Sequence, residues 1–127
     1  MTSKQLLFAI GAVWGAAGLI EAHYPNVPEP FSPVGMVQGL ATGLLLYAWC
    51  KVHAKEHGIK PPPGAPLLSA LLALVGVPYY AFAGFGLRGG ARLVGLAVVA
   101  FVVFGLIYVV CFEISAWSAY FLARAFR

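Results

Sequence analysis

The chain has 127 residues, of which 61% are hydrophobic and only 9% are charged, and its mean hydropathy is +0.88. Soluble domains usually carry about 25% charged residues, so this composition excludes an ordinary soluble protein and indicates an integral membrane protein. The formal net charge of +4 comes from eight Lys and Arg against four Glu. Because the basic residues flank apolar segments, they indicate contact with the lipid bilayer and argue against nucleic acid as a partner.

The first predicted helix covers residues 5–22 and ends near Glu21 and His23. Gly11 and Gly15 are four residues apart, so they lie on one face of this helix, where another helix can approach closely. Such a packing face favours a retained transmembrane helix over a cleaved signal peptide.

The second predicted helix, residues 35–53, carries a second glycine face. Three glycines at four-residue spacing form it: Gly35, Gly39 and Gly43. Gln38 and Thr42 lie beside this face, where they could hydrogen-bond to a neighbouring helix or line a path for a proton or an ion. We therefore expect this helix to be the main packing element of the protein.

The two loops around the second helix differ in charge. Residues 24–34 contain four prolines and no Lys or Arg, whereas the next loop contains Lys51, Lys55 and Lys60 and leads into a proline-rich spacer. By the positive-inside rule, the second loop and the N-terminus are cytoplasmic. The short loops and this charge bias predict a bacterial inner membrane as the location.

Residues 67–87 form the third predicted crossing, with a kink between Gly76 and Pro78 because proline cannot donate a helical hydrogen bond. The alternative is a re-entrant segment that turns back near Gly76 and keeps Arg88 and Arg92 on the cytoplasmic side. We favour a crossing, because a re-entrant segment needs surrounding protein to satisfy its backbone polar groups.

The fourth predicted crossing covers residues 92–113 and is followed by a C-terminal tail, residues 114–127. Glu113 either marks the end of this crossing or, if the span is shifted, is an intramembrane proton or ion site. The predicted fold is an all-α integral membrane protein, a bundle of four transmembrane helices in a single domain that covers residues 1–127.

Cys50, His53 and His57 form the sharpest chemical pattern in the chain. Their i, i+3, i+7 spacing puts a thiol and two imidazoles on one helix face, where they could bind Zn, Cu or haem. With four crossings, Cys111 and Glu113 lie at about the same depth as Cys50 and could supply the fourth ligand. A set of ligands on one helix is weak evidence, and the simpler interpretation is a solvated turn beside the membrane. We therefore expect no cofactor, with a metal or haem as the alternative.

The sequence contains no nucleotide-binding loop, no Ser-His-acid set and no CxxC pair, so an enzyme is not expected. The first functional hypothesis is an accessory subunit that packs its glycine faces against other membrane-protein subunits or against copies of itself. The second is a small oligomeric channel or transporter that uses Gln38, Thr42 and Glu113. The third is a metal- or haem-binding membrane protein.

Overall fold

The computed structural model of the protein describes residues 1–23 and 32–127, and this part of the chain is helical without any strand. Its helices are α1 (Ser3–Glu21), α2 (Pro33–Glu56), α3 (Ala65–Leu71) and α4 (Ala73–Ala125). Three of them, α1, α2 and α4, are long and apolar enough to cross a membrane. The all-α architecture therefore agrees with the prediction, but a bundle of four crossings is not confirmed.

The starts of α1 and α2 are set by local side chains. Thr2 and Gln5 form a capping box at α1, and each side chain accepts a hydrogen bond from the other residue's backbone N–H. At α2 the Ser32 hydroxyl accepts a hydrogen bond from the Gly35 N–H, and Pro33 begins the helix. Both features satisfy or remove the unpaired donors of a first helical turn. Each helix therefore begins within two residues of its predicted start.

Residues 67–87 do not form one helix. The chain leaves helical geometry at Leu72, where φ is −137° and ψ is 76°, and it reverses direction there. Gly76 then lies directly against the backbone of Leu68 and Ser69, so that a β-carbon at this position would overlap backbone atoms. Close backbone contact at this glycine allows α3 and the first part of α4 to pack as a helical hairpin.

This helical hairpin does not reach across a bilayer. Its arms, α3 and residues 73–85, are about 10 and 20 Å long, whereas the hydrocarbon core is about 30 Å thick. The tip lies near the middle of α2, where the Ala70 carbonyl oxygen would be 2.7 Å from a β-carbon at Gly43. At the base, Ile59 packs against Gly84. Both ends of the hairpin therefore lie at the C-terminal end of α2, as the re-entrant alternative requires.

The break in α4 lies at Gly86 rather than between Gly76 and Pro78. Gly86 has φ 72° and ψ −172°, a conformation that residues with a β-carbon rarely adopt. Pro78 lies within the helix, in its second turn. The break separates the second arm of the hairpin from residues 87–125, which form the long part of α4, about 58 Å in length.

The long part of α4 runs in the same direction as α1. Gly11 lies against Phe104, and eight residues later the Leu19 carbonyl accepts a 2.8 Å hydrogen bond from the Ser115 hydroxyl. The C-terminal end of α1 is therefore level with Ser115. The last ten residues of α4 extend about 15 Å beyond that level.

Two polar contacts define the two ends of the molecule. The hairpin end is the end where Ser3 of α1 meets Glu56 of α2 and where the base of the hairpin lies. The Glu21 end is the opposite end, where Glu21 of α1 meets Ser32 and where Ser115 of α4 lies. The buried hydrophobic cluster belongs to the hairpin end and consists of Leu6, Trp49, Cys50, Ala54, Ala65 and Tyr80.

Candidate functional site

The glycines predicted as packing positions divide into two groups, and the first is used within the chain. A β-carbon at Gly11 would lie 3.2 Å from the Phe104 ring, and one at Gly15 would lie 3.3 Å from Ile107. Gly43 lies against the hairpin tip. These glycines therefore bring α4 against α1 and the hairpin against α2, as small residues do at close helix contacts.

The second group, Gly35 and Gly39, lines an open groove of about 230 Å³ between α1, α2 and the hairpin tip. A β-carbon built at Gly39 would meet no atom within 4 Å in residues 1–23 and 32–127. The other residues that line this α2 groove are Trp14, Gln38, Thr42, Gly43, Leu46, Ala70, Leu71 and Ala73. The wall contains one polar contact, in which the Trp14 indole N–H donates to the Thr42 hydroxyl at 3.2 Å. The groove is thus an apolar, glycine-floored surface with a few hydrogen-bonding groups.

The structure separates Glu113 from the other predicted proton or ion residues. Gln38 and Thr42 lie in the α2 groove, whereas Glu113 is exposed on α4. Cys111 and Ser115, two positions away on either side, pack against α1, so Glu113 lies on the opposite face of α4. The three residues therefore do not form one site within the described chain.

Of the three predicted ligands, His53 and His57 lie together, with their ring centroids 4.2 Å apart and both rings against Phe85. Cys50 is completely buried in the hydrophobic cluster. His53 Nδ1 lies 2.9 Å from the Tyr80 hydroxyl of the hairpin, and the Trp49 ring stacks on the His53 ring at 4.7 Å between centroids. His57 Nδ1–H donates to the His53 carbonyl oxygen at 2.9 Å. The contacts of the two histidines fix the hairpin on α2 and end the helix.

Within residues 1–23 and 32–127, no three His, Cys, Asp or Glu side chains converge in a way that could hold a metal ion. Cys111, the proposed fourth ligand, packs against Gly15 and Gly18 near the Glu21 end. The expectation that it would lie at the depth of Cys50 is wrong. It assumed that residues 67–87 cross the bilayer, whereas the hairpin returns the chain to its own side and makes α4 parallel to α1.

Glu21 is a buried carboxylate, whereas the sequence marks it only as the end of the first helix, beside His23. It is 8% exposed and accepts a 2.5 Å hydrogen bond from the Ser32 hydroxyl and a 3.1 Å hydrogen bond from the Tyr108 hydroxyl. The Ser32 hydroxyl also caps the first turn of α2. One carboxylate thus joins the end of α1, the start of α2 and the middle of α4.

Glu56 makes the corresponding contact at the hairpin end. Its carboxylate accepts hydrogen bonds from both the backbone N–H and the hydroxyl of Ser3, at 2.9 and 2.5 Å. Ser3 is the first residue of α1, and the N–H groups of a first helical turn attract negative charge. Glu56 therefore acts as a cap supplied to α1 by α2.

Comparison of the chain with protein-family models, with curated proteins and with solved structures gives no match. The arrangement of the helices, the groove and the charged residues is therefore what bears on function.

Proposed function

We propose that the protein is an integral membrane subunit that docks a transmembrane helix of a partner membrane protein into the α2 groove. The observation that carries this proposal is the difference between the two groups of glycines. Gly11, Gly15 and Gly43 are covered by helices of the same chain, whereas a β-carbon at Gly39 would meet no atom of the described residues within 4 Å. An uncovered glycine face in the middle of an apolar helix is what a second helix needs in order to approach α2 closely.

The chemistry of the groove fits a helix better than a polar ligand. Lipid tails are as apolar as leucine, so membrane helices associate through close packing and a few hydrogen bonds. The groove offers both, since Gln38 and Thr42 lie beside the glycines and can bond to polar groups of the incoming helix. Apolar side chains stand exposed along α2 outside the groove, and they include Met36, Val37, Leu40 and Leu44. These side chains can extend the contact.

The location proposed for this subunit is a bacterial inner membrane, with the hairpin end in the cytoplasm. Six of the eight Lys and Arg residues flank the helix ends at the hairpin end. The positive-inside rule orients such an asymmetric protein with that end towards the cytoplasm. The same orientation makes the N-terminus cytoplasmic.

The test is the variant Gly39→Leu, compared with Gly95→Leu as a matched control. Both glycines are exposed on long helices, and a β-carbon at either position would meet no atom within 4 Å. Only Gly39 lies in the groove. Native mass spectrometry of the protein extracted from its own host in mild detergent should show an assembly for the wild type and for Gly95→Leu. The Gly39→Leu assembly should be reduced about ten-fold or lost, because leucine fills the space of the incoming helix.

The identity of the second chain is an outcome of the same measurement. Assemblies that contain other proteins would identify the partner, and a homo-oligomer would make the partner a second copy. An assembly of unchanged size and amount in Gly39→Leu, with thermal melting also unchanged, would refute docking in the groove. Both variants should remain folded with closely similar melting temperatures, because a β-carbon at either position meets no atom of the described chain within 4 Å.

A channel or transporter is the second candidate, and the position of the hairpin tip favours it. Re-entrant backbone at membrane depth is tolerated where it is buried in protein or where it lines a water-filled cavity. The tip at Ala70 lies beside Gln38 and Thr42 in the α2 groove. Several copies of the chain could enclose these polar groups.

This second candidate predicts flux of protons or small cations in liposomes. Thr42→Val and Gln38→Leu should each reduce the flux at least about ten-fold, because each removes a hydrogen-bonding group from a low-dielectric path. Glu113→Gln should leave it unchanged, because Glu113 lies outside the groove. Liposomes that are silent with the wild-type protein would refute this candidate.

A further inference from the structure

The hairpin gathers positive charge at one end of the molecule. The contact between Ser3 and Glu56 puts their sequence neighbours, Lys4 and Lys55, at the same level. The contact between Ile59 and Gly84 brings the loop after α2 against the end of the second hairpin arm. The basic side chains of this end are all exposed, and they are Lys4, Lys51, Lys55, Lys60, Arg88 and Arg92.

Arg88 and Arg92 belong to this group only because the hairpin turns back. They follow the break at Gly86, and Leu93, the next residue after Arg92, packs against the cluster that contains Leu6 and Trp49. Residues 67–87 as a single crossing would have put both arginines at the other end. The reversal therefore exchanges one arginine pair for another at the hairpin end, Arg88 and Arg92 in place of Arg124 and Arg127, and the number of cations there is six.

Negative charge at this end comes from one glutamate, whose carboxylate already accepts hydrogen bonds. Of the three glutamates that the structure describes, Glu21 and Glu113 lie towards the opposite end and only Glu56 lies here. Its carboxylate accepts two hydrogen bonds from Ser3. Six cations against one carboxylate leave an excess of positive charge at this end of the described chain, and this charge attracts anions from outside it.

We propose that the hairpin end binds phospholipids with anionic headgroups. The cations lie near the ends of helices that are apolar enough to cross a membrane. In a bilayer, the ends of such helices lie at the level of the lipid phosphate groups. Lys51 and Lys55 are one helical turn apart on α2, and the Lys51 ammonium lies over the Tyr47 ring at 5.3 Å. A lysine held against an aromatic ring next to an apolar segment is placed for an interfacial headgroup. This proposal is independent of what occupies the α2 groove.

The four arginines of the chain lie in or next to α4 and supply a matched test. Arg88 and Arg92 lie at the hairpin end of α4, whereas Arg124 and Arg127 lie at and just beyond its other end. The double variants R88Q/R92Q and R124Q/R127Q remove the same charge from the whole protein. They differ only in the end from which it is removed.

The experiment is native mass spectrometry of the full chain in mild detergent, titrated with phosphatidylglycerol and, separately, with phosphatidylcholine. The wild type should retain phosphatidylglycerol in preference to phosphatidylcholine, and 0.5 M salt should weaken the preference. R88Q/R92Q should lower this preference about ten-fold, since each basic residue near an anionic surface contributes to binding. R124Q/R127Q should leave it within about two-fold of the wild type.

Two results would overturn the proposal. The first is equal retention of both lipids by the wild type. The second is an equal loss of preference in both double variants, which would mean that net charge acts without a site. Circular dichroism in the same detergent confirms that the variants are folded, and both should be, because all four arginines are exposed.

Discussion

The two ends of the α1–α2 pair use the same chemical contact in different surroundings. At each end a glutamate of one helix accepts a hydrogen bond from a serine of the other, Glu56 from Ser3 and Glu21 from Ser32. Glu56 is exposed and has both donors on one residue. Glu21 is 8% exposed and also accepts from Tyr108 of α4. Only the Glu21 contact joins three helices.

Burial, rather than the identity of the residue pair, decides how much such a contact contributes to stability. A hydrogen bond to a charged group that water can replace contributes little, whereas a buried donor that loses its acceptor keeps its full desolvation cost. We therefore expect the Glu21 end to hold the helices together. The Glu56 end serves mainly to align the first turn of α1.

The largest effect is expected for Glu21→Ala. It removes the acceptor of two hydroxyl groups in a buried position and should lower the free energy of unfolding by about 3 kcal/mol. Glu21→Gln keeps one acceptor oxygen and should lose roughly half as much. SDS titration of the protein in detergent micelles measures both values.

Glu113→Gln is the control for that experiment, because it changes the same residue type near the same end but at an exposed position. Its free energy of unfolding should stay within about 0.5 kcal/mol of the wild type. An equal loss in Glu21→Gln and Glu113→Gln would remove the distinction between buried and exposed carboxylates.

The second-largest loss in the free energy of unfolding is expected at Gly18, which packs against α4 near Glu21. A β-carbon at Gly18 would overlap the backbone carbonyl of Tyr108, so Gly18→Ala must push α4 away from α1. We expect a loss of about 2 kcal/mol in the same SDS titration. Gly11→Ala, whose β-carbon would meet the Phe104 ring at 3.2 Å, should cost less because a side chain can shift. Equal costs at both glycines would contradict the tighter packing at the Glu21 end.

A smaller effect is expected at the hairpin end for Tyr80→Phe. The Tyr80 side chain is completely buried, and its hydroxyl is 2.9 Å from His53 Nδ1. Removing one neutral hydrogen bond while keeping the ring should cost about 1 kcal/mol. The SDS titration measures this cost, and Tyr79→Phe is the control because the Tyr79 hydroxyl makes an exposed, longer hydrogen bond of 3.3 Å to the Pro63 carbonyl. A cost for Tyr79→Phe as large as that for Tyr80→Phe would count against the buried contact.

The smallest effect is expected for Glu56→Gln. The amide oxygen can still accept from Ser3, and water can replace what is lost, because the side chain is exposed. The shift in melting temperature should be roughly a third or less of that in Glu21→Gln. A shift as large as that of Glu21→Gln would show that the two ends are equivalent.

The apolar pattern of the sequence was enough to place the starts of α1 and α2 to within two residues, because each helix is one long apolar segment. It was not enough for residues 67–87. The reversal falls at Leu72, an apolar residue that carries no turn signal, and it depends on the close contact that Gly76 makes four positions later. Hydropathy does not distinguish a hairpin of two short helices from one long helix.

The pairing of polar residues depended on the same reversal. Glu21 meets Tyr108, and His53 meets Tyr80, only when α4 runs parallel to α1 after a hairpin that turns back. Spacing along one helix could suggest Cys50, His53 and His57 as a set, but it could not show that Tyr80 lies against His53. The α2 groove is open at Gly39 because the hairpin tip ends against Gly43, and the sequence alone could not show where the tip ends.

The hairpin also determines which parts of the chain must be translocated during membrane insertion. Because it enters and leaves at one end, neither Arg88 nor Arg92 has to pass through the hydrocarbon. In the orientation proposed above, translocation is needed for the loop of residues 24–34, which contains no Lys or Arg, and for the segment after Ser115, which carries Arg124 and Arg127. An insertase could therefore complete the three crossings first and leave the hairpin to fold against α2 as a late step from its own side of the bilayer.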